Sequence, residues 1–167
     1  MAKIPKKAAK RSRPAPAPKA ADPAIDRVVA YLGGAKVIRM QPRTAAEVHD
    51  LIVKGLPGET IAHVVERTQH LNQQKVATAL GISARTIQRR RAGSAKLSPE
   101  QGDKAWTFSE LMVRATEVLG GEREAERWFD TPAMALGQRR PIDLLGSSVG
   151  AALVGDLLGR MEYGVYT

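Results

Sequence analysis

An all-α fold is predicted by three features of this chain. Apolar residues recur at i, i+3 and i+4 along most of it. Helix-start patterns repeat: Asp22-Pro23, Thr44-Ala45-Ala46-Glu47 and Ser98-Pro99-Glu100-Gln101 each set a capping side chain before Pro, or before an acid or amide three residues on. Glycines stand where the apolar runs stop, at Gly33-Gly34, Gly55 and Gly120-Gly121.

Taken in order, Asp22 caps a helix with Ile25, Val28, Val29 and Leu32 on one face. Val37-Ile38-Arg39-Met40 reads as a short strand or an extended linker. Thr44 opens a helix bearing Val48, Leu51 and Ile52, and residues 57–69 carry Ile61, Val64 and Val65. Ser98 starts a longer helix with Ala105, Phe108, Leu111, Met112, Ala115 and Leu119. Residues 122–129 form another, with Ala125, Trp128 and Phe129 facing inward. Thr131 before Pro132 reads as the cap of a short helix ending at Leu136-Gly137. Pro141 opens a second short helix with Ile142, Leu144 and Leu145. A last helix from about Ser147 sets Val149, Leu153, Val154, Leu157 and Leu158 at helical spacing.

Composition bounds the function. A chain of 167 residues suits one or two small domains sharing a core, and with 4% aromatics that core is aliphatic. The absence of Cys removes disulfides, Cys-based zinc sites and thiol catalysis. With no apolar run of signal-peptide or membrane-span length, a cytoplasmic protein without membrane contact is expected. The net charge of +9 is uneven: seven Lys and Arg precede the first acid, Asp22, among several Pro and Ala. Residues 1–21 are therefore expected to be a disordered basic tail, either solubilising or scanning DNA as a polycation.

Residues 73–91 have the spacing of a helix-turn-helix. Ala77 is small where a second helix crosses, Gly81 supplies a left-handed turn, and Val76, Leu80, Ile82 and Ile87 fill the wedge. Ser83 caps the second helix, which is proportioned for a major groove. Arg85 and Arg89 suit guanine edges and Gln88 an adenine. Thr86, Arg90 and Arg91 suit phosphates, and Gln73 and Ser83 complete the expected DNA-binding set. Arg90 departs from the motif, which more often has an apolar residue there; its stem can still pack. The competing reading is an ordinary αα-corner with a solvated Arg cluster.

Enzyme signals are weak. His49, His63 and His70 make no metal-ligand constellation, no nucleophile or carboxylate pair stands out, and neither glycine pair resembles a phosphate loop. Arg139-Arg140 is expected to face solvent or to pair with an acid such as Asp143. No catalytic residue, metal or cofactor is expected.

The C-terminal stretch carries a longer pattern: Trp128-Phe129-Asp130-Thr131-Pro132, Ala135-Leu136-Gly137, Arg140-Pro141-Ile142-Asp143-Leu144-Leu145, and finally Leu158-Gly159-Arg160-Met161-Glu162-Tyr163-Gly164-Val165. This order resembles the toxin-binding domain of Xre/MbcA/ParS-type antitoxins, and the likeness covers roughly residues 24–167. The basic tail over 1–21 lies outside the likeness; the rest is expected to divide into an N-terminal helical domain over 22–97 with the helix-turn-helix at 73–91, and a toxin-binding domain over 98–167. It implies a non-enzymatic antitoxin of a type II toxin–antitoxin system, partnered by an NAD-depleting RES-domain toxin whose active site the chain end occludes. It further implies operator binding that autorepresses the operon, and a homodimer or a larger assembly with the toxin. The residues carried over to the toxin contact are Arg160, Glu162, Tyr163, Gly164, Val165, Tyr166 and Thr167. Two Tyr near the end suit a plug, being amphipathic anchors. The alternative is a helix-turn-helix transcriptional repressor whose C-terminal domain only dimerises.

Overall fold

Helices joined by short turns make up the described residues, 22–83, 85 and 95–164, of this computed structural model. Among them there is no β-strand, only two isolated antiparallel bridges, Pro57 with Lys96 and Ala133 with Arg139. The predicted tail over 1–21, the contacts Thr86, Gln88, Arg89, Arg90 and Arg91, the wedge residue Ile87, and Val165, Tyr166 and Thr167 lie outside the described residues.

Helix α1 spans Pro23–Tyr31, and the Asp22 side chain accepts the Ala24 N–H at 2.9 Å. Helix α2, Gly34–Ile38, replaces the strand or linker expected around Val37. Its β-favouring pair Val37-Ile38 is buried in a short helix packed against α1 and the later helix Glu59–Arg67, so tertiary packing overrides local propensity. Helix α3 spans Ala45–Lys54, with Thr44 accepting the Glu47 N–H. The Glu47 carboxylate reaches back one residue further than a capping box requires, to the Arg43 N–H at 2.6 Å. Helix α4 is Glu59–Arg67 and helix α5 is Gln73–Ala79.

Helix α6, Pro99–Leu119, carries the full capping box: Ser98 accepts the Gln101 N–H at 3.2 Å and Gln101 accepts the Ser98 N–H at 3.3 Å. It is followed by α7, Glu122–Phe129, a 3-10 turn at Met134–Leu136, α8, Pro141–Leu144, and α9, Ser148–Glu162. One apolar core runs from Val28 to Leu158, and α6 sits inside it, touching α1, α3, α4, α7 and α9. Phe108 and Phe129 meet there with ring centres 6.4 Å apart, and Trp128, half-buried, sets its edge to Phe129.

Three local expectations are corrected. Thr131 caps no following helix; its hydroxyl donates to the Arg127 carbonyl at 2.7 Å and closes α7. The short helix after Pro132 is a single 3-10 turn pinned by the Ala133–Arg139 bridge. On α9 the buried stripe is Gly150, Ala151, Val154, Leu157 and Leu158, which turns Val149 (71% exposed) and Leu153 (49%) to the outside. That helix is apolar on more than one face, so periodicity alone does not select which face is buried. Contact at its start selects it: a Cβ on Gly150 would collide with the Leu144 carbonyl oxygen, so α8 and α9 meet at that glycine.

Candidate functional site

The first helix of the helix-turn-helix is built as the spacing predicts. Asn72 caps α5, its side chain accepting the Gln74 N–H at 2.8 Å. Val76, Ala77, Leu80 and Ile82 are buried. Gly81 takes φ +65°, and the Gly81 and Ile82 N–H groups donate to the Thr78 and Ala77 carbonyls at 3.0 and 2.9 Å. This is a Schellman closure, which needs a left-handed residue at Gly81. Gln73, Ser83 and Arg85 are exposed, at the two ends of the described part of the motif.

The position of α5 depends on two acids that sequence reasoning missed. Glu126 on α7 is 3% exposed, and one of its carboxylate oxygens accepts the His70 N–H at 2.6 Å and the Leu71 N–H at 3.1 Å. Asp130, just after α7, takes Lys75 of α5 at 2.6 Å and Arg140 at 3.5 Å. Arg140 thus pairs with Asp130 in place of the expected Asp143. A signal was present for Glu126: it lies beside Ala125 and one turn from Phe129, on the inward face of an otherwise charged helix.

A second tie joins α1, α4 and α7. The Arg67 guanidinium sits 4.7 Å from the centre of the Tyr31 ring and bridges to Glu122. Burial pushes the Tyr31 phenol well above its ordinary range, with Arg67 opposing. Of the histidines, His49 and His70 are exposed and His63 half-buried, and among the described residues no three His, Cys, Asp or Glu side chains gather as metal ligands. No helix among the described residues is long and apolar enough to cross a membrane.

The chain end divides its predicted residues. Arg160 is exposed, Tyr163 is 79% exposed, and Gly164 takes φ +68° beyond the last turn of α9. Glu162 is engaged inside the fold: Arg114 of α6 reaches its carboxylate at 3.0 Å and also donates to the Gly155 carbonyl at 3.2 Å. Val149 and Leu153, taken from sequence as core, join Arg160 and Tyr163 as accessible groups of the α9 segment.

Comparison with known proteins bears on both halves. Residues 47–109 match the antitoxin Xre-like helix-turn-helix domain, and residues 114–164 match the antitoxin Xre/MbcA/ParS C-terminal toxin-binding domain. Antitoxin Xre of Yersinia enterocolitica is 36% identical over 94 residues, 56% of this chain, and the match spans 64% of that protein's length. Antitoxin Xre of Photorhabdus laumondii is 27% identical over 116 residues, 69% of this chain and 78% of its own. A Sphingobium protein named Prs ADP-ribosylating antitoxin is 23% identical over 125 residues, 70% and 78% of the two chains. The two domain matches adjoin within α6, so the chain carries, in order, a helix-turn-helix domain and a C-terminal toxin-binding domain similar to those of Xre-type antitoxins.

Proposed function

We propose that this chain is the antitoxin of a type II toxin–antitoxin pair, that it neutralises an NAD-consuming RES-domain toxin by occluding its active site with the chain end, and that it autorepresses its operon by binding operator DNA. Residues 98–167 carry the toxin contact and residues 22–97 the DNA contact. The observation that supports occlusion best is the contrast along α9. Val154, Leu157 and Leu158 anchor the helix in the core, while Val149, Leu153, Arg160 and Tyr163 face solvent with Gly164 behind them. A rigid helix ending in accessible Arg and Tyr is the kind of surface that carries interface energy. The name of the Sphingobium relative favours a toxin that uses NAD, since ADP-ribosylation consumes it.

The test is co-expression with the toxin encoded beside this chain. The intact antitoxin restores growth and cellular NAD; removal of residues 160–167 leaves the protein helical by circular dichroism but lets NAD fall. Full rescue by the truncated chain rejects the chain end as the plug.

A dimeric repressor is the second reading, because a second copy would also cover exposed Val149 and Leu153. It predicts that Leu153→Glu yields monomers and loses operator binding while no toxin needs neutralising.

A further inference from the structure

A polar cleft of about 280 Å³ opens where α7 meets the start of the helix-turn-helix, lined by His70, Arg123, Glu126, Arg127, Asp130 and Thr131. We propose that this cleft, with Arg123 and Arg127 as its cations, binds the phosphate backbone of DNA engaged by the helix-turn-helix. The inference rests on the operator-binding reading and extends the DNA surface into the half of the molecule matched to toxin binding.

Position is the first argument. Glu126 holds the N–H groups of His70 and Leu71, the residues just before the Asn72 cap and exposed Gln73. Asp130 holds Lys75, one turn into α5. The cleft is therefore fastened to the same end of α5 that presents Gln73, and it cannot move independently of the motif. Charge is the second argument. Arg123 and Arg127 are exposed, lie at i and i+4 on one face, and have no ion-pair partner among the described residues. The cleft's carboxylates are already committed, Asp130 to Lys75 and Arg140, and Glu126 to two backbone N–H groups. Two guanidinium groups outside any ion pair among the described residues thus face solvent beside the helix-turn-helix in a chain of net charge +9. Chemistry is the third. Polar side chains line this cleft, unlike the exposed apolar positions of α9. Phosphate oxygens suit such a wet, bidentate site, and contacts of this kind set register without reading bases.

The experiment uses the full chain and two duplexes, one covering the region upstream of its own reading frame and one scrambled to the same length. Affinity is titrated against salt for the parent, for Arg123→Ala/Arg127→Ala, for Arg123→Lys/Arg127→Lys and for Arg85→Ala. Each phosphate contact contributes about 0.9 to the slope of log affinity against log salt. The double alanine variant should therefore flatten the slope by about 1.8 on both duplexes, with an unchanged melting temperature and undiminished rescue of growth from the toxin. The double lysine variant should keep the parent's slope. An unchanged slope for the alanine variant, in a titration where Arg85→Ala weakens binding, overturns the inference and leaves the operator reading intact. Loss of growth rescue with unchanged DNA binding also overturns it and gives the cleft to the toxin. Failure of the parent to bind either duplex overturns the operator reading and this inference with it.

Discussion

The Glu126 carboxylate accepts the Leu71 backbone N–H at 3.1 Å across 55 residues of sequence, and the same oxygen takes the His70 N–H. A buried, charged acceptor thereby sets the start of the helix-turn-helix. Glu126→Ala leaves two N–H groups without their acceptor and should cost about 2–4 kcal/mol, measured by urea unfolding. Glu126→Gln retains an acceptor oxygen and should cost clearly less. Equal losses for both would mean that packing, and not the hydrogen bonds, carries the effect.

The two faces of α9 should respond oppositely. Leu158 is fully buried, so Leu158→Ala should lower stability by about 2–5 kcal/mol. Val149→Ser and Leu153→Ser fall on the exposed face and should change stability by no more than about 0.5 kcal/mol, yet weaken toxin binding by calorimetry. Unchanged toxin affinity in both serine variants would move the contact off this face.

Glu162 and Tyr163 are neighbours in different surroundings, one paired with Arg114 and the other 79% exposed. The Arg114–Glu162 pair is partly exposed, so Glu162→Ala should cost at most about 1 kcal/mol in thermal unfolding. Tyr163→Ala should leave unfolding unaltered and, on the proposed occlusion of an NAD-consuming toxin, cost about 2 kcal/mol in inhibition. Loss of inhibition from Glu162→Ala alone would reverse that assignment.

The Thr60 hydroxyl is buried with no hydrogen-bond partner among the described residues. Thr60→Val keeps the shape and removes the unsatisfied group, so it should raise stability by about 1 kcal/mol. A destabilised variant would reveal a partner for that oxygen.

Arg85 is exposed, and the motif's spacing makes it a candidate for base readout. Arg85→Ala should cost about 1–3 kcal/mol on the operator and relax preference at one base position. A loss that is equal on every sequence would make it a phosphate contact.

Most of the helices were legible because their signals are local. Asp22, Ser98, Gly81 and Gly120 act on bonds within a turn or two, so their residue types announce them. Val37-Ile38 was misread because its helicity comes from α1 and α4, which lie elsewhere in the sequence. Val149 and Leu153 were misread because hydrophobicity does not distinguish a side chain that faces a core from one available to a partner. Glu126 and Asp130 were missed because Leu71 and Lys75, which they hold, stand 55 residues away, and no spacing rule spans that distance. The candidate DNA contacts were named from the motif alone, and of these Gln73, Ser83 and Arg85 are described as exposed.

Helix α6 touches α1, α3 and α4 as well as α7 and α9, and the two matched domains adjoin within its length. Recombination between relatives is constrained by that arrangement. A graft that exchanged one helix-turn-helix half for another would inherit an α6 whose face was shaped for a different neighbour, so viable hybrids must exchange α6 contacts on both flanks. Cleavage within α6 likewise splits a core that both halves share, so a single proteolytic cut would unseat both matched domains together.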